Sequence, residues 1–571
     1  MEGIIGKFFF QFGVTMCACV LLSLLEAVTI TPMRAAALLS SEPKVSKFEE
    51  YLDHTFEKIS DMYRNVLRIT LKWKYTVVLS SIGFFVLSLI LIAKVRQEFV
   101  PPQDQDFILV MAQAKPGTSL DATSEAAYKL EEFIKKNPNV QNYLVSIGGG
   151  GGGTTTVNQM FIPVVLKPRE ERKLGHIAIM NELRTQFKSL KDIKVTLRDN
   201  SARNLSSGRQ NAIGINLRGP DLEILEQKSK ELIAKLEEEK LGVDLDTDFR
   251  KGIPELILKP NREAMAERGV TVEQVGLVLS SGIGSVRQGR FTMDGRRNDI
   301  RVKIKDDLIK SAEDFKHLYV RNNVGILVPM SEIITIEEGA AIQGISRINR
   351  QRSISIFGNL APGVSQSTAL DRAKIISNKI LPTGYSFALE GASAGFSSSF
   401  KSLSSALSIG ILVAFLILAV QFNSFVHPFP VLIALPFSVS GALVALWMFG
   451  ASVNLFSFIG LIVLMGISKK NSIMLVEFTN QVREHSKKPV FESLLEACPV
   501  RLRPILMTSI ATVAAATPLI FGHGMGAETR LPMGLSIIGG TIVSTVLTLF
   551  VVPALYLMMV PLEKKDKPKT D

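Results

Sequence analysis

Cysteine is scarce in this chain, three in 571 residues. Cys17, Cys19 and Cys498 lie in or beside long apolar stretches, and the polar part between residues 95 and 401 has none, which excludes a disulfide framework there. From Ser402 to Ser468 there is no Asp, Glu, Lys or Arg, and His427 is the one ionisable side chain. At about 20 apolar residues per crossing, that run holds two complete membrane spans and most of a third. Aspartate is missing from Arg372 to Lys565, and the Asp-Asp pair, Asp306-Asp307, sits in the polar part. A lysine in the later spans therefore has no aspartate near it in sequence. Basic residues are not interleaved with aromatics, which excludes a nucleic-acid surface as the source of the net charge of +12. Lys and Arg gathered in cytoplasmic loops account for that charge. Phe8–Leu25 does not read as a secretory leader: the apolar run is too long and continues through Glu26 to Pro32 and Arg34, so a retained span is expected. Glu26 is expected near an interface, paired with Arg34.

The composition, 47% hydrophobic and 21% charged, is that of a membrane bundle carrying a large polar insert. Between Pro43 and Lys72, Phe48, Leu52, Phe56, Ile59, Tyr63, Val66 and Thr70 recur at three- and four-residue steps, with Lys47, Lys58, Arg64 and Arg68 between them. That spacing predicts an amphipathic helix on the membrane surface, followed by a span over Tyr75–Ala93. The insert, Val95–Lys401, alternates short β runs with helical runs. Strand–helix–strand units are expected near Phe107–Val145, Val157–Leu197, Ala212–Leu245 and Ser353–Leu389. Lys115-Pro-Gly-Thr-Ser119 and Ala361-Pro-Gly-Val-Ser365 form an internal repeat in which a Pro-Gly turn ends a strand and a serine can cap the next helix. The repeat suggests duplicated α+β subdomains of split-βαβ type. Ser285–Arg301, rich in Gly and Arg, reads as a long hairpin arm suited to a neighbouring subunit. Gly148–Gly153 is six glycines in a row, but a strand follows and no Lys-Ser/Thr pair, so a flexible loop is expected and not a phosphate cradle.

Five further spans are expected at about Leu403–Val420, Pro430–Phe449, Leu455–Glu477, Pro504–Phe521 and Leu535–Met558. With Val482–Arg503 and the lysines of the tail (Lys564, Lys565, Lys567, Lys569) in the cytoplasm, about seven spans place the insert outside and the C-terminus inside. The third of these five contains Gly466-Ile-Ser-Lys-Lys-Asn-Ser-Ile-Met-Leu-Val-Glu-Phe478. A charge near the bilayer centre costs roughly 2.5–3.5 kcal/mol and usually faces a bundle interior or a water-filled cavity. Lys469 and Lys470 point about 100° apart, so both cannot face one partner; one can snorkel, and an ion-coupling role is assigned to the other. Glu477 lies two turns beyond Lys470, too far for direct contact, so Glu26 or, preferably, another polypeptide supplies the countercharge.

The chain resembles the C-terminal part of a resistance–nodulation–division efflux pump of the acriflavine-resistance type. The segments that carry the resemblance are Phe99-Val-Pro-Pro-Gln-Asp-Gln105, Arg347-Ile-Asn-Arg-Gln-Arg352, Asn359–Ser365, Gln421-Phe-Asn-Ser-Phe425, Pro436–Ala442, Gly466–Phe478 and Arg501–Ser509. The resemblance covers essentially the whole chain, from the family's sixth span through its twelfth. It implies an α-helical membrane bundle of about seven transmembrane helices with a large extracytoplasmic α+β insert. The implied organisation is a span at 1–40, a cytoplasmic-surface helix at 41–73, a span at 74–95, porter subdomains at 96–210, 211–253 and 346–395, a docking subdomain at 254–345, a five-span bundle at 396–562 and a basic tail at 563–571. It also implies that Lys470 pairs with two aspartates of the family's fourth span, with Asn471, Arg501 and Thr508 completing a proton relay driven by the proton motive force, without cofactor or metal. Arg287, Arg290 and Arg296 lie on the arm that matches the docking hairpin of a trimer.

Two departures accompany the resemblance. The first five spans and the aspartate pair are missing, so this chain alone is not expected to pump. Gly148–Asn158 occupies the place of an aromatic switch loop, leaving Gly150 and Phe161 as substrate-path candidates and the cargo open. The expected role is therefore the C-terminal half of a proton-driven exporter of small amphiphilic or xenobiotic molecules, and not an enzyme. Its expected partners are an N-terminal half-transporter chain, a periplasmic adaptor and an outer-membrane channel, in the bacterial inner membrane with a large periplasmic domain and without nucleic acid. The alternatives are a transport-inactive remnant, a SecD/SecF-like translocation accessory and a membrane sensor; the last has no signalling domain in either tail.

Overall fold

The computed structural model describes residues 3–38, 47–148, 156–190, 192–199, 201, 210–305, 308–309, 311–342, 344–486, 488–522 and 524–562. Gly150, Asp306-Asp307 and the basic tail lie outside the described residues. The chain divides into two compact units, one of Met1–Ala114, Leu120–Asp248 and Ser346–Asp571, the other of Lys115–Ser119 and Phe249–Ile345.

The first unit opens with α1 (Gly3–Val28) and α2 (Ile30–Leu38). Their apolar stretch is not buried against the rest of the described chain, and Glu26 and Arg34 come within 3.7 Å, the pairing anticipated. Next is α3 (Lys47–Lys72), whose buried face departs from the expected stripe. Tyr63, Leu67 and Leu71 are buried, while Val66 is 41% exposed; the side chains of Phe48 and Leu52 are outside the described residues. The face is covered by protein: the Tyr63 hydroxyl donates to the Leu549 carbonyl at 2.7 Å, and Leu67 and Leu71 join a core with Leu494, Leu502 and Tyr556. A four-residue step after Tyr63 keeps its successors on the side that meets those residues. The span α4 (Lys74–Lys94) follows.

A first sheet is built from β1 (Phe107–Ala114), α5 (Leu120–Lys136), β2 (Val140–Tyr143), β3 (Ser146–Ile147), β4 (Gln159–Leu166), α6 (His176–Phe187) and β5 (Ile193–Arg198). Its order is β2-β4-β1-β5, all antiparallel, with β3 beside β4. Alternation along β4 puts Met160, Ile162, Val164 and Leu166 into one core with Leu130 and Leu183 from the helices, and turns Phe161 to the opposite face. A second sheet begins with β6 (Ile213–Gly219), α7 (Leu222–Glu238) and β7 (Gly242–Thr247).

The chain then enters the second unit, which contains β8 (Lys251–Pro260), α8 (Arg262–Glu267), α9 (Val272–Leu279), β9 (Val286–Met293), β10 (Arg296–Val302), β11 (Tyr319–Arg321), β12 (Leu327–Pro329) and β13 (Ile334–Ile342). Strands β8 and β13 form a long antiparallel pair. Met265, Val275, Val320 and Met330 form its core. The arm read from Ser285–Arg301 is the β9–β10 hairpin, turned by Asp294 and Gly295 at φ of 52° and 73°, the left-handed pair that a tight two-residue hairpin needs.

Back in the first unit, β14 (Ser346–Ile348), β15 (Gln351–Leu360), α10 (Gln366–Ile380) and β16 (Ser386–Leu389) complete the second sheet in the order β14-β15-β6-β16, with β7 on β15. In both sheets the fourth strand of the strand–helix–strand pairs lies beside the first, the first beside the third and the third beside the second, the split-βαβ arrangement. The two Pro-Gly turns therefore occupy different places: Gly117 (φ 85°) follows a first strand and Gly363 (φ 83°) a third. Both need the left-handed backbone that glycine adopts freely. Ser365 caps α10 by accepting from Thr368 N–H at 3.2 Å.

The spans α11 (Gly391–Gln421), α12 (Pro428–Leu432) with α13 (Ala434–Met448), α14 (Leu455–Ser486), α15 (Val490–Phe521) and α16 (Ala527–Met559) close the chain. With α4 and the α1–α2 stretch they make seven helical stretches long and apolar enough to cross a membrane, so this is a multi-pass membrane protein. At 32 residues, α14 is about 48 Å long and runs well past a bilayer's hydrocarbon; Val482–Ser486 belongs to it, and Val490–Arg503 to α15. Glycines let α13, α14 and α16 touch: a Cβ on Gly540 would sit 2.0 Å from Leu464 Cδ2, and one on Gly441 2.4 Å from the Gly539 carbonyl oxygen. Small residues give membrane helices this close approach.

Candidate functional site

The motif Gly466–Phe478 lies in the middle of α14, where helical spacing sends its residues to different environments. Ser468, Asn471, Ser472 and Leu475 recur at three- and four-residue steps and are buried. Asn471 is held by two neighbouring helices: its Nδ2 donates to Ser509 Oγ of α15 at 3.3 Å and to Thr545 Oγ1 of α16 at 3.5 Å. The Ser509 and Thr545 hydroxyls are 2.8 Å apart. One amide thus fastens three spans through neutral groups. Ser468 and Ser472 present buried hydroxyls beside it that have no hydrogen-bond partner among the described residues.

Lys470 is exposed and Lys469 half-exposed. Among the described residues Lys470 has no hydrogen bond or ion pair. Glu26 is taken by Arg34, and Glu477 accepts from Gln481 at 3.4 Å, so neither acidic residue considered from the sequence is the partner of Lys470. The Arg501 guanidinium lies 4.1 Å from the centroid of the Phe478 ring, a cation–π contact between α15 and α14, with Nε buried and unbonded among the described residues. Thr508 uses its hydroxyl on its own helix, donating to the Ile505 carbonyl at 3.1 Å. One residue on and about 100° round the helix, Ser509 is the residue that meets Asn471.

Sequence reasoning did not single out Ser509 or Thr545. A signal for Thr545 was there: Thr541, Ser544, Thr545 and Thr548 recur at helical spacing inside an otherwise apolar span and are all buried.

Phe161 is half-buried on the open face of the first sheet, opposite Met111 in register. Arg198 Nη1 lies 3.4 Å from the Met111 sulfur, and the Arg198 guanidinium donates to Asn211 Oδ1 at 2.7 Å. This face can hold an apolar group beside a cation. On the β9–β10 hairpin, Arg287 and Arg290 share Asp299 at 4.0 and 3.0 Å, while Arg296 is exposed at the turn. Every residue of β10 is exposed, including Ile300 and Val302.

The chain matches the AcrB/AcrD/AcrF family over residues 1–560. It is 27% identical over 582 residues to a protein of Haemophilus influenzae described as an uncharacterized transporter, which covers 100% of this chain and 55% of that protein. It is 28% identical over 575 residues to the multidrug resistance protein MdtC of Pectobacterium carotovorum, covering 98% of this chain and 54% of MdtC. A crystal structure of a heavy metal efflux pump superposes with a TM-score of 0.80 at 22% identity, over 89% of this chain and 53% of that one. The chain therefore has the fold of part of that pump and spans about half the length of the relatives it matches.

Proposed function

Because the chain belongs to the AcrB/AcrD/AcrF family of resistance–nodulation–division transporters, we propose that it supplies the C-terminal half of a proton-driven exporter of small amphiphilic or xenobiotic molecules. The observation that carries this reading is the division of labour at positions 470 and 471. Asn471 is fastened to α15 and α16. That fixes the rotation of α14 and turns Lys470 to an exposed side where no acidic group of the described chain meets it. A lysine in the middle of an apolar span is costly unless a partner or water faces it. Two aspartates from a further polypeptide segment would meet that need.

With both aspartates ionised, the lysine is held; at 4 Å and an effective dielectric of about 20, each pair is worth about 4 kcal/mol before desolvation. Protonating them weakens the hold and lets α14 adopt a second position, a population shift driven by the proton gradient. Movement of α14 has a route outward, since Leu455 at its start packs with Phe99, Phe396, Leu403 and Leu370 of α10. Phe161 and Met111 border the path for cargo, and the β9–β10 arm reaches a neighbouring protomer of a trimer that docks an adaptor and outer-membrane channel. The site is the inner membrane, with both sheets in the periplasm.

The test is proton-driven efflux by the assembled transporter in vesicles. Lys470→Ala is expected to abolish efflux while leaving the chain's abundance unchanged, and undiminished efflux would overturn the assignment. Native mass spectrometry of the gently purified chain checks the partner, which should bring about five spans and two intramembrane aspartates.

A further inference from the structure

Away from the spans' interior, the first unit contains a second buried polar cluster that the transport reading does not use. It centres on His176, the first residue of α6, whose side chain is 5% exposed. The chain around it is pinned by Arg172, a fully buried guanidinium that bonds Asp104 and Asp106 together. Arg172 also donates from Nε to the Lys167 carbonyl at 2.8 Å and from Nη1 to the Leu174 carbonyl at 2.9 Å. Asp104 turns its other oxygen to the start of α6 and accepts from the His176 backbone N–H at 3.0 Å, a carboxylate at a helix N-terminus. Arg169 stands 3.8 Å from the same oxygen.

Two carboxylates face the imidazole, each from a different segment. Asp104 Oδ2 is 3.6 Å from Nδ1, and Asp199 Oδ1, just past β5, is 3.5 Å from Nε2. Glu528, in the first turn of α16, adds a further negative charge that raises the affinity of the ring for a proton. His176 Nε2 and Glu528 Oε2 are both buried without a hydrogen bond among the described residues. The start of α16 lies against the same loop as Asp104: a Cβ on Gly526 would be 3.8 Å from Gln103 Oε1, and one on Gly175 3.8 Å from Asp104 Oδ2. Beyond Asp199 lies Glu98, which accepts a hydrogen bond from Ser452. Ser201 donates to the same Asp199 oxygen that faces the ring, from its N–H at 3.1 Å and from its hydroxyl at 2.7 Å.

We infer that His176 is a proton-operated latch: as an imidazolium it ties Asp104 and Asp199 of the first sheet region to Glu528 at the head of α16, and as a neutral ring it releases that helix end. The proton comes from and returns to the aqueous phase on the side of the sheets. Neutral His176 leaves the charges of Asp199 and Glu528 without its compensating cation, with Arg169 and Arg172 already committed to Asp104 and Asp106. The helix it releases is the one that carries Thr545, so the latch gives external pH a hold on the span that fixes Asn471.

The electrostatics run the right way. Burial by itself pulls the imidazolium down, but Asp199, Asp104 and Glu528 outweigh it and hold His176 above its ordinary value. A group raised in the folded state contributes stability that is full below about pH 6.5, the unfolded value, and is lost as pH rises through the raised one. Glu98 is raised by burial, despite the Ser452 hydrogen bond and Arg96, and acts in the same direction, so it needs its own control. Asp104 is pushed up by burial but pulled lower by Arg172 and His176, and its contribution is lost only in acid.

The experiment is thermal unfolding of the purified full chain in detergent between about pH 5.5 and pH 8.5, the window around the unfolded histidine value. The wild-type midpoint is expected to fall by several degrees as pH rises. His176→Gln should remove most of that slope, Glu528→Gln should reduce it, and Glu98→Gln should leave the His176-dependent part in place. The double variant His176→Gln/Glu528→Gln should match His176→Gln, because Glu528 acts on the slope through the charge of His176. A wild-type slope in His176→Gln, or additive single effects, would overturn the latch. Should His176→Gln not fold, Glu528→Gln decides: a reduced slope supports the latch and an unchanged one ends it. Transport is not the readout, so failure of the efflux reading leaves this test standing.

Discussion

Two buried polar clusters of the first unit solve the same problem in opposite ways. Around Asn471 the groups are neutral: an amide and two hydroxyls from three helices, at 2.8–3.5 Å. Around Arg172 they are charged: a fully buried guanidinium shared by two carboxylates, with a histidine and a further aspartate beyond. The medium decides. The sheets fold from water, where the surrounding chain can close over an ion pair and supply backbone carbonyls to the Nε and Nη1 of the guanidinium. The spans assemble from lipid, where each unmatched charge costs several kcal/mol, so the fastening is done by side chains that carry none. Of the two adjacent lysines that α14 places mid-helix, Lys470 is left on an open side and Lys469 is half-exposed.

Breaking each cluster should show the difference. The largest effect is expected at Arg172→Met, which leaves Asp104 and Asp106 buried without their cation. A loss of about 3–5 kcal/mol, read as a fall in the unfolding midpoint of the purified chain, is the usual cost of orphaning a buried charge. Next is Gly540→Ala, where the added methyl collides with Leu464 and with the Ser438 carbonyl oxygen at 2.0 and 2.8 Å. Overpacking of this kind costs about 1–3 kcal/mol, and mild-denaturant unfolding in detergent measures it. Thr545→Val removes a hydroxyl from the neutral cluster and should cost only about 0.6 kcal/mol, the average for hydrogen bonds between membrane helices. A loss as large as that of Arg172→Met would refute the contrast drawn between the two clusters. Smallest of all is Arg503→Ala. Its pair with Asp53 at 2.8 Å is half-exposed on both sides, so a change under about 1 kcal/mol is expected. The same midpoint assay reads it.

Lys470→Ala sharpens the comparison from the functional side. No ion pair is lost with it in the described chain, so its stability should not fall, while efflux by the assembly should stop. Arg172→Met should do the reverse in order, reducing abundance before any change in transport per molecule is seen.

Much of the architecture was legible because it rests on local pattern. Length and absence of charge mark the spans, alternation marks the strands, and Pro-Gly turns followed by a serine mark where strands pass into helices. Ser365 caps α10 as its position indicated. Where the reading failed, a partner element was responsible. The stripe through Val66 and Thr70 gave way to Leu67 and Leu71, because α15 and α16 cover that side of α3. Thr508 and Ser509 are equally plausible neighbours in sequence, and only the crossing of α14 with α15 selects Ser509. His176 carried no signal at all, since the carboxylates that face it come from residues 104 and 199.

What the chain's order of residues determined by itself is which segments enter lipid, which form sheets and where a cation is forced into a span, for these follow from transfer free energy and backbone geometry acting over a few turns. Only the tertiary structure decided which of two adjacent side chains is fastened and which is left open, and which distant carboxylates meet one histidine. Such choices turn on contacts within 3–4 Å between elements tens of residues apart in the chain, and no local pattern encodes them.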